Sequence, residues 1–238
     1  MILVTNLNFI TSQQNPHQQL QYSSDRKRSS LGSFREIRFP KPVELHLIRH
    51  AETIENSLGL VTGSIDAKLT EQGKQQAKQL GKKLDKKYDL AICSGMQRTQ
   101  DTLKLALDSG NICVNALYYD KRINERSLGI LEGKERRPIS AFAMGNLDYA
   151  PPEGEPYSKV ALRVLDFLND LANLVLETQP NKVLICGHTG VMRILVGIIN
   201  NYDDPAEVLN LSFGNARILK NQWQSLSMPD FLEGVYNN

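Results

Sequence analysis

The amino-acid sequence predicts an α/β fold, a mainly parallel sheet with helices on both faces and a small helical insertion over the site. Three observations predict it. Short β-branched and aliphatic runs at residues 43–48, 90–93 and 183–186 each stop at a polar or glycine-containing turn, as central strands do. Segments with apolar residues at helical spacing lie between these runs. Strands alternating with helices pack as a parallel sheet covered on both faces, and the reactive side of such a sheet lies beyond the carboxyl ends of its strands.

Residues 1–42 stand outside this pattern. The stretch 11–33 is rich in Gln, Asn, Ser and Arg, and ordering it would cost more conformational entropy than its few apolar side chains return on burial. It is read as part of a disordered basic arm, residues 1–42, ahead of a folded domain over residues 43–238, with Pro40 and Pro42 marking the entry. The arm holds six basic residues against two acidic, a net +4, which leaves −2 on the other 196 residues. A body of that charge lacks the broad basic face of a nucleic-acid binder. No run approaches the ~18 apolar residues of a membrane span, so no membrane partner is expected and the chain reads as cytoplasmic. The Ser- and Arg-rich arm offers an alternative location, a plastid or mitochondrion, if residues 1–42 are a transit peptide. Cys93, Cys113 and Cys186 form an odd set without metal-ligand spacing, which fits reduced thiols, two of them small hydrophobes inside apolar runs.

Taken in order, the first strand, 43–48, runs into charged Arg49 and His50. Thr70 is a predicted N-cap for a helix that turns Ala77, Leu80 and Leu84 inward and Lys82, Lys83, Lys86 and Lys87 toward water. The strand at 90–93 ends at Ser94 and leads into a helix at 98–107. Weaker strands are expected at 112–119 and 216–219. A helix over 158–176 carries Leu162, Leu165, Leu168 and Val175 at helical spacing, and the third clear strand ends at His188, ahead of a helix at 191–199. Residues 132–156, with much charge, Pro and Gly, read as the small helical insertion or a lid. The three clear strands therefore bring Arg49 and His50, then Ser94 leading to Arg98, then His188, to one edge of the sheet.

The run Leu47-Ile48-Arg49-His50-Ala51-Glu52-Thr53 is similar to the signature of the histidine phosphatase, or phosphoglycerate mutase-like, superfamily, Leu-x-Arg-His-Gly-Glu-Thr. Ala51 stands where that pattern has Gly, a small-for-small change that is tolerated where the backbone does not need positive φ. Companions follow in the family's order. Asn56, Thr62-Gly63-Ser64-Ile65-Asp66 and Leu69-Thr70-Glu71-Gln72-Gly73 resemble the loop that lines the phosphate pocket and leads into the first helix. The stretch from Ser94 through Arg98 and Thr99 to Thr102 resembles the segment with the second arginine. Asn124-Glu125-Arg126-Ser127-Leu128-Gly129-Ile130-Leu131-Glu132-Gly133 resembles the segment with the acid, and Gly187-His188-Thr189-Gly190-Val191 the one with the second histidine. The resemblance covers about residues 43 to 220.

It implies a phosphoglycerate mutase-like fold, a small phosphorylated metabolite as substrate, and no cofactor or metal. It also implies site residues: His50, Glu125, Arg49, Arg98 and His188 as catalytic groups, and Asn56, Thr62, Gly63 and Thr189 as substrate-binding ones. The chemistry needs these types. A neutral imidazole attacks a phosphate dianion without the repulsion a carboxylate meets, and His50, near pKa ~6.5 when free, is mostly neutral at cytoplasmic pH. Its other ring nitrogen needs an acceptor, which the resemblance makes a backbone carbonyl. Phosphoryl transfer is catalysed chiefly by positioning and electrostatic clamping, and the planar, permanently charged guanidinium groups of Arg49 and Arg98 suit a phosphoryl group, with His188 as a further donor. An alkoxide leaves poorly, so Glu125 is assigned as the acid that protonates it, with Glu52 or Glu132 next in line.

Other polar residues read more plainly. His46, on the buried strand, is expected to be a hydrogen-bonded core or rim residue. Arg122 and Arg126 could contact substrate, but the default reading is that they are solvated. His46, His50 and His188 show no metal-ligand spacing. Three functions stand: a histidine acid phosphatase-type monoester hydrolase, a phosphoglycerate mutase-type phosphotransferase, and a silent phosphate-binding module, each compatible with a homo-oligomer. The separation of 138 positions from His50 to His188, with Arg136-Arg137 as the only paired arginines in the intervening insertion, favours the hydrolase over the mutase.

Overall fold

A computed structural model of the chain describes residues 36–232 and Val235. Five strands, β1 (Ile37–Arg49), β2 (Lys87–Ser94), β3 (Cys113–Asp120), β4 (Lys182–Gly187) and β5 (Ile218–Leu226), form one sheet in the order β3-β2-β4-β1-β5. The first four are mutually parallel and β5 runs antiparallel to β1 at the edge. Seven helices accompany them among the described residues: α1 (Ile54–Ser57), α2 (Glu71–Lys83), α3 (Gln97–Gly110), α4 (Ser140–Ala143), α5 (Tyr157–Thr178), α6 (Thr189–Ile199) and α7 (Pro205–Asn210). The strands β2 and β4 are buried at nearly every position because both faces are covered. One face packs against α2 and α3 through Leu80, Leu84, Leu103 and Ala106. The other carries the larger core, to which α5 gives Val164, Phe167, Leu168 and Leu171 and α6 gives Val191, Ile194 and Leu195.

Two sequence expectations are corrected here. The folded domain starts before residue 43: β1 begins at Ile37, paired with Leu226, because Phe39 is buried edge-on against Trp223 at 4.7 Å. The register shift between Arg38 and Val43 accommodates Pro40 and Pro42, which have no N–H for the ladder. Residues 1–35 of the expected arm lie outside the described residues. Within α5, Leu165, Leu168 and Val175 are buried as predicted, whereas Leu162 is 43% exposed and the inward stripe runs through Val160, Ala161 and Val164 instead.

Thr70 caps α2 as expected, accepting from the Gly73 N–H at 2.8 Å, and the helix ends at Lys83, so Lys87 already belongs to β2. The edge strand expected at 216–219 starts at Ile218 and runs longer, Ala216 being held at φ 50° in a turn. The segment 132–156 contains the single short helix α4, a small helical insertion. No helix among the described residues is long and apolar enough to cross a membrane.

Candidate active site

Because β1, β2 and β4 are parallel neighbours, their carboxyl ends meet. Arg49 pairs with Gly187 across β1 and β4, Cys93 with Cys186 across β2 and β4, and the His50 N–H donates to the Gly187 carbonyl at 3.1 Å. The residues just beyond, His50 and His188, are thereby set side by side with ring centroids 5.3 Å apart and planes inclined at 55°. The chain leaving β2 enters α3 on one face and the chain leaving β4 enters α6 on the other, which opens a crevice between them at this edge.

His50 is buried, and its Nδ1 lies 2.7 Å from the Ala51 carbonyl, which fixes the proton on Nδ1 and leaves Nε2 unprotonated. Burial, then the charges of Arg49 and Arg98, hold its pKa well below the usual histidine value, against the smaller pull of the Ala51 hydrogen bond. Ala51 itself is fully buried and takes no positive φ, so the change from the usual glycine carries no backbone strain. Its N–H donates to Thr102 Oγ1, whose own hydroxyl donates to the Arg98 carbonyl, tying the signature loop to α3.

Arg98 is almost completely buried and its guanidinium is oriented by the 62–66 loop: Nη1 donates to the Ile65 carbonyl at 2.6 Å and Nη2 to the Gly63 carbonyl at 2.7 Å. Its Nε donates to His188 Nδ1 at 3.3 Å. Arg49 donates from Nη1 to the Phe213 carbonyl, while its buried Nε meets no protein acceptor among the described residues. Burial lowers the Arg49 pKa to about 10, with Arg136, Arg98 and Arg193 adding to the effect and Glu125 opposing it, so the group remains a cation at neutral pH.

His188 departs from the expected donor. With Nδ1 accepting from Arg98, its proton sits on Nε2 and goes to Ser94 Oγ at 2.8 Å, and Ser94 in turn donates to Asn124 Oδ1. Burial and the neighbouring Arg98 keep this ring neutral, its pKa well below the ordinary value.

Glu125 lies across the first turn of α6, where Gly190 N–H reaches its Oε2 at 3.2 Å and Arg126 N–H its Oε1 at 3.0 Å. Only a glycine at 190 permits this approach, since a Cβ there would stand 2.4 Å from Oε1. Thr189 flanks the same turn with a buried Oγ1 that has no protein partner among the described residues. Asn56 Nδ2 donates to Thr62 Oγ1 at 3.2 Å, and Asn215 bridges the group by donating to both Asn56 Oδ1 and the His50 carbonyl. The nine predicted residues thus lie on the loops and helix starts that follow the carboxyl ends of β1, β2 and β4 or bond to them.

Both alternative acids are engaged elsewhere. Glu52 accepts from Thr70 at the start of α2, and Glu132 accepts from Ser64, Ser127 and Leu128. Arg122 and Arg126 are not solvated as expected. Arg122 binds Asp120, Asp166 and Asp170, and Arg126 is 2% exposed, its guanidinium 4.1 Å from the Tyr157 ring centroid and 4.5 Å from that of Phe142. Phe142 belongs to α4, so this contact anchors the insertion beside the segment that carries Glu125.

Ser94, Asn124 and Asn215 complete the site without having been assigned roles from the sequence. Ser94 was visible as a strand-end residue. Asn215 gave no local signal, because it reaches the site from the loop before β5.

Among the described residues one potential metal-ligand group forms, away from the histidine pair: Glu44, His46 and Asp85. Its carboxylates hold Lys182 and Lys220, so it is built as an ion-pair network. His46 is the hydrogen-bonded core residue expected. Cys93 and Cys186 are buried, as read, and Cys113 is exposed.

Two neutral imidazoles between guanidinium groups at the carboxyl edge of a mainly parallel sheet define a class, α/β proteins with a buried histidine pair flanked by arginines. The chain belongs to the histidine phosphatase superfamily, branch 1, whose family model matches residues 45–226. It is 33% identical over 139 residues to the mouse fructose-2,6-bisphosphatase TIGAR, a match covering 56% of this chain and 52% of that protein, so the chain spans about half the length of that relative. It is 28% identical over 191 residues to an Arabidopsis thaliana metal-independent phosphoserine phosphatase, covering 76% of this chain and 78% of the other. Among solved structures, the alpha-ribazole phosphatase from Shigella flexneri superposes with a TM-score of 0.63 at 27% identity, over 79% of this chain and 95% of that one.

Proposed function

We propose that the chain is a phosphoric monoester hydrolase that acts on a small phosphorylated metabolite through a phosphohistidine on His50, without a metal. The observation that carries this reading is the histidine pair, ring centroids 5.3 Å apart, with the Nδ1 hydrogen bond to the Ala51 carbonyl leaving Nε2 of His50 available to attack. The buried Arg49 Nε and Thr189 Oγ1, which lack protein partners among the described residues, are donors fitted to an oxyanion. The names of the relatives, three phosphatases with different phosphorylated substrates, agree with it.

In the first half-reaction Nε2 of His50 forms a bond to phosphorus as the P–O bond to the leaving group breaks, and Glu125 passes its proton to the departing oxygen. Arg49 and Arg98 hold the non-bridging oxygens, positioning being the larger part of the catalysis. His188, accepting at Nδ1 from Arg98 Nε and donating from Nε2 to Ser94, holds the Arg98 guanidinium in place for this contact. In the second half-reaction Glu125 takes a proton from water as the water oxygen attacks phosphorus and the P–N bond breaks. On this reading the enzyme is a hydrolase of the histidine acid phosphatase type.

The test is turnover of p-nitrophenyl phosphate with and without EDTA, combined with rapid quench of a labelled substrate. Release that persists in EDTA, an acid-labile adduct on residue 50, and loss of both in His50→Ala are expected. Intact phosphate binding with no turnover of any phosphoester would move the chain to the binding-module reading. Interconversion of 3- and 2-phosphoglycerate primed with a bisphosphate would move it to the mutase.

A further inference from the structure

Between the loop that orients Arg98 and the segment that carries Glu125 lies a single carboxylate. Glu132 Oε1 accepts from the Ser64 N–H at 2.8 Å, from Ser64 Oγ at 2.9 Å, from the Leu128 N–H at 2.8 Å and from Ser127 Oγ at 3.3 Å; Oε2 accepts again from Ser64 Oγ at 2.8 Å. Residue 64 lies between the two carbonyls, Gly63 and Ile65, that receive the terminal nitrogens of Arg98. Residues 127 and 128 follow directly on Glu125 and Arg126, whose N–H reaches back to the acid. Gly63 is shaped for the same contact: it sits at φ +51°, and a Cβ on it would stand 2.2 Å from Glu132 Oε1.

We propose that Glu132 is a positioning residue, a carboxylate staple that sets the distance between the phosphate-clamping Arg98 and the proton-donating Glu125. The reasoning is geometric. Arg98 is aimed by the 63–65 carbonyls, those carbonyls are placed by Glu132, and Glu132 is placed by the segment that supplies the acid. Without the staple, the loop and the acid segment move independently, and a displacement of about 1 Å between groups that act on one P–O bond lowers rate by roughly 10²-fold. Glutamine at this position keeps an acceptor for both backbone N–H groups and a donor for Ser64 Oγ, so shape rather than charge is what the staple needs.

This inference rests on the phosphatase reading for its kinetic arm and is independent of it in its binding arm. The kinetic arm compares an alkyl phosphate with p-nitrophenyl phosphate. Glu132→Ala is expected to lose roughly 10–100-fold in kcat/KM on the alkyl ester and less on the aryl ester, whose leaving group needs less help from the acid. Glu132→Gln should recover most of that loss. Combining Gly63→Ala with Glu132→Ala should cost less than the product of the two single losses, because the truncated side chain no longer meets the new Cβ. Ser64→Ala, at an exposed position, reports a smaller loss of the same leaving-group pattern if the Glu132→Ala protein does not fold.

The binding arm titrates orthovanadate by calorimetry in the same proteins, with weaker binding expected in Glu132→Ala and recovery in Glu132→Gln. If the wild-type protein hydrolyses no ester, the phosphatase reading falls and the vanadate series alone decides on the staple. Wild-type vanadate affinity in folded Glu132→Ala, equal alkyl and aryl losses, or strictly multiplicative losses in the double variant would each overturn it.

Discussion

Two histidines on or just beyond one strand, four residues apart, have opposite surroundings. His46 and His50 are both buried, and burial is the main reason each resists protonation. Around His46 both ring nitrogens are engaged, Nδ1 accepting from Tyr88 Oη and Nε2 donating to Glu44, each at 2.6 Å, in a network completed by Asp85, Lys182 and Lys220. Around His50 the protein engages Nδ1 through Ala51 and surrounds the ring with Arg49, Arg98 and a second imidazole. The contrast teaches that residue type and burial do not separate a structural histidine from a reactive one. Both nitrogens of His46 are partnered, whereas His50 keeps one nitrogen free among cations.

The comparison breaks most visibly by substitution. His50→Ala is expected to remove turnover by roughly 10⁴-fold or more, as loss of a nucleophile does. His46→Ala should keep kcat/KM within a few-fold and lose stability instead, about 1–3 kcal/mol for leaving the Tyr88 hydroxyl without its acceptor. Thermal unfolding and steady-state kinetics on both variants check this. A His46→Ala protein as inactive as His50→Ala would erase the distinction drawn between them.

The carboxylates attached to each site sharpen it next. Glu125→Gln should lower the rate on alkyl phosphates by roughly 10²–10⁴ and on aryl phosphates far less. Glu44→Gln should leave the dependence on leaving group as it is. Equal losses on both ester types in Glu125→Gln would assign the proton transfer to another group.

The smallest effect is on stability. His46, His50 and His188 all have folded pKa values below that of a free histidine, so the unfolded chain takes up protons before the folded one does. Stability present above pH ~6.5 is therefore lost as pH falls toward the lowered folded values, by about 1.4 kcal/mol at pH 5.5 for each histidine that stays neutral. Denaturant midpoints between pH 7.5 and 5.5 should fall more steeply in the wild-type protein than in His50→Ala. Parallel slopes would show that His50 protonates as readily folded as unfolded.

Much of this architecture is legible in the chain itself. The buried strands β2 and β4 announce themselves as apolar runs, Thr70 as a cap, and the ends of β1, β2 and β4 as the place where Arg49, His50, Ser94 and His188 meet, because local patterning and the parallel topology require no more than neighbouring residues. Roles that depend on distant partners were decided by tertiary packing. Phe39 is drawn into the fold by Trp223, which lies far along the chain on β5, and extends the first strand through two prolines. Asn215 reaches Asn56 and His50 across a separation of about 160 residues. Glu132, a candidate acid by its position in the sequence, became a hydrogen-bond acceptor for Ser64, and Arg126, read as solvated, was enclosed by two rings. Short-range chemistry determines which elements form and which side chains sit at their ends. Which carboxylate lies beside the histidine pair, and which is consumed in holding loops together, depends on donors that only the folded chain brings within 3 Å or so of it.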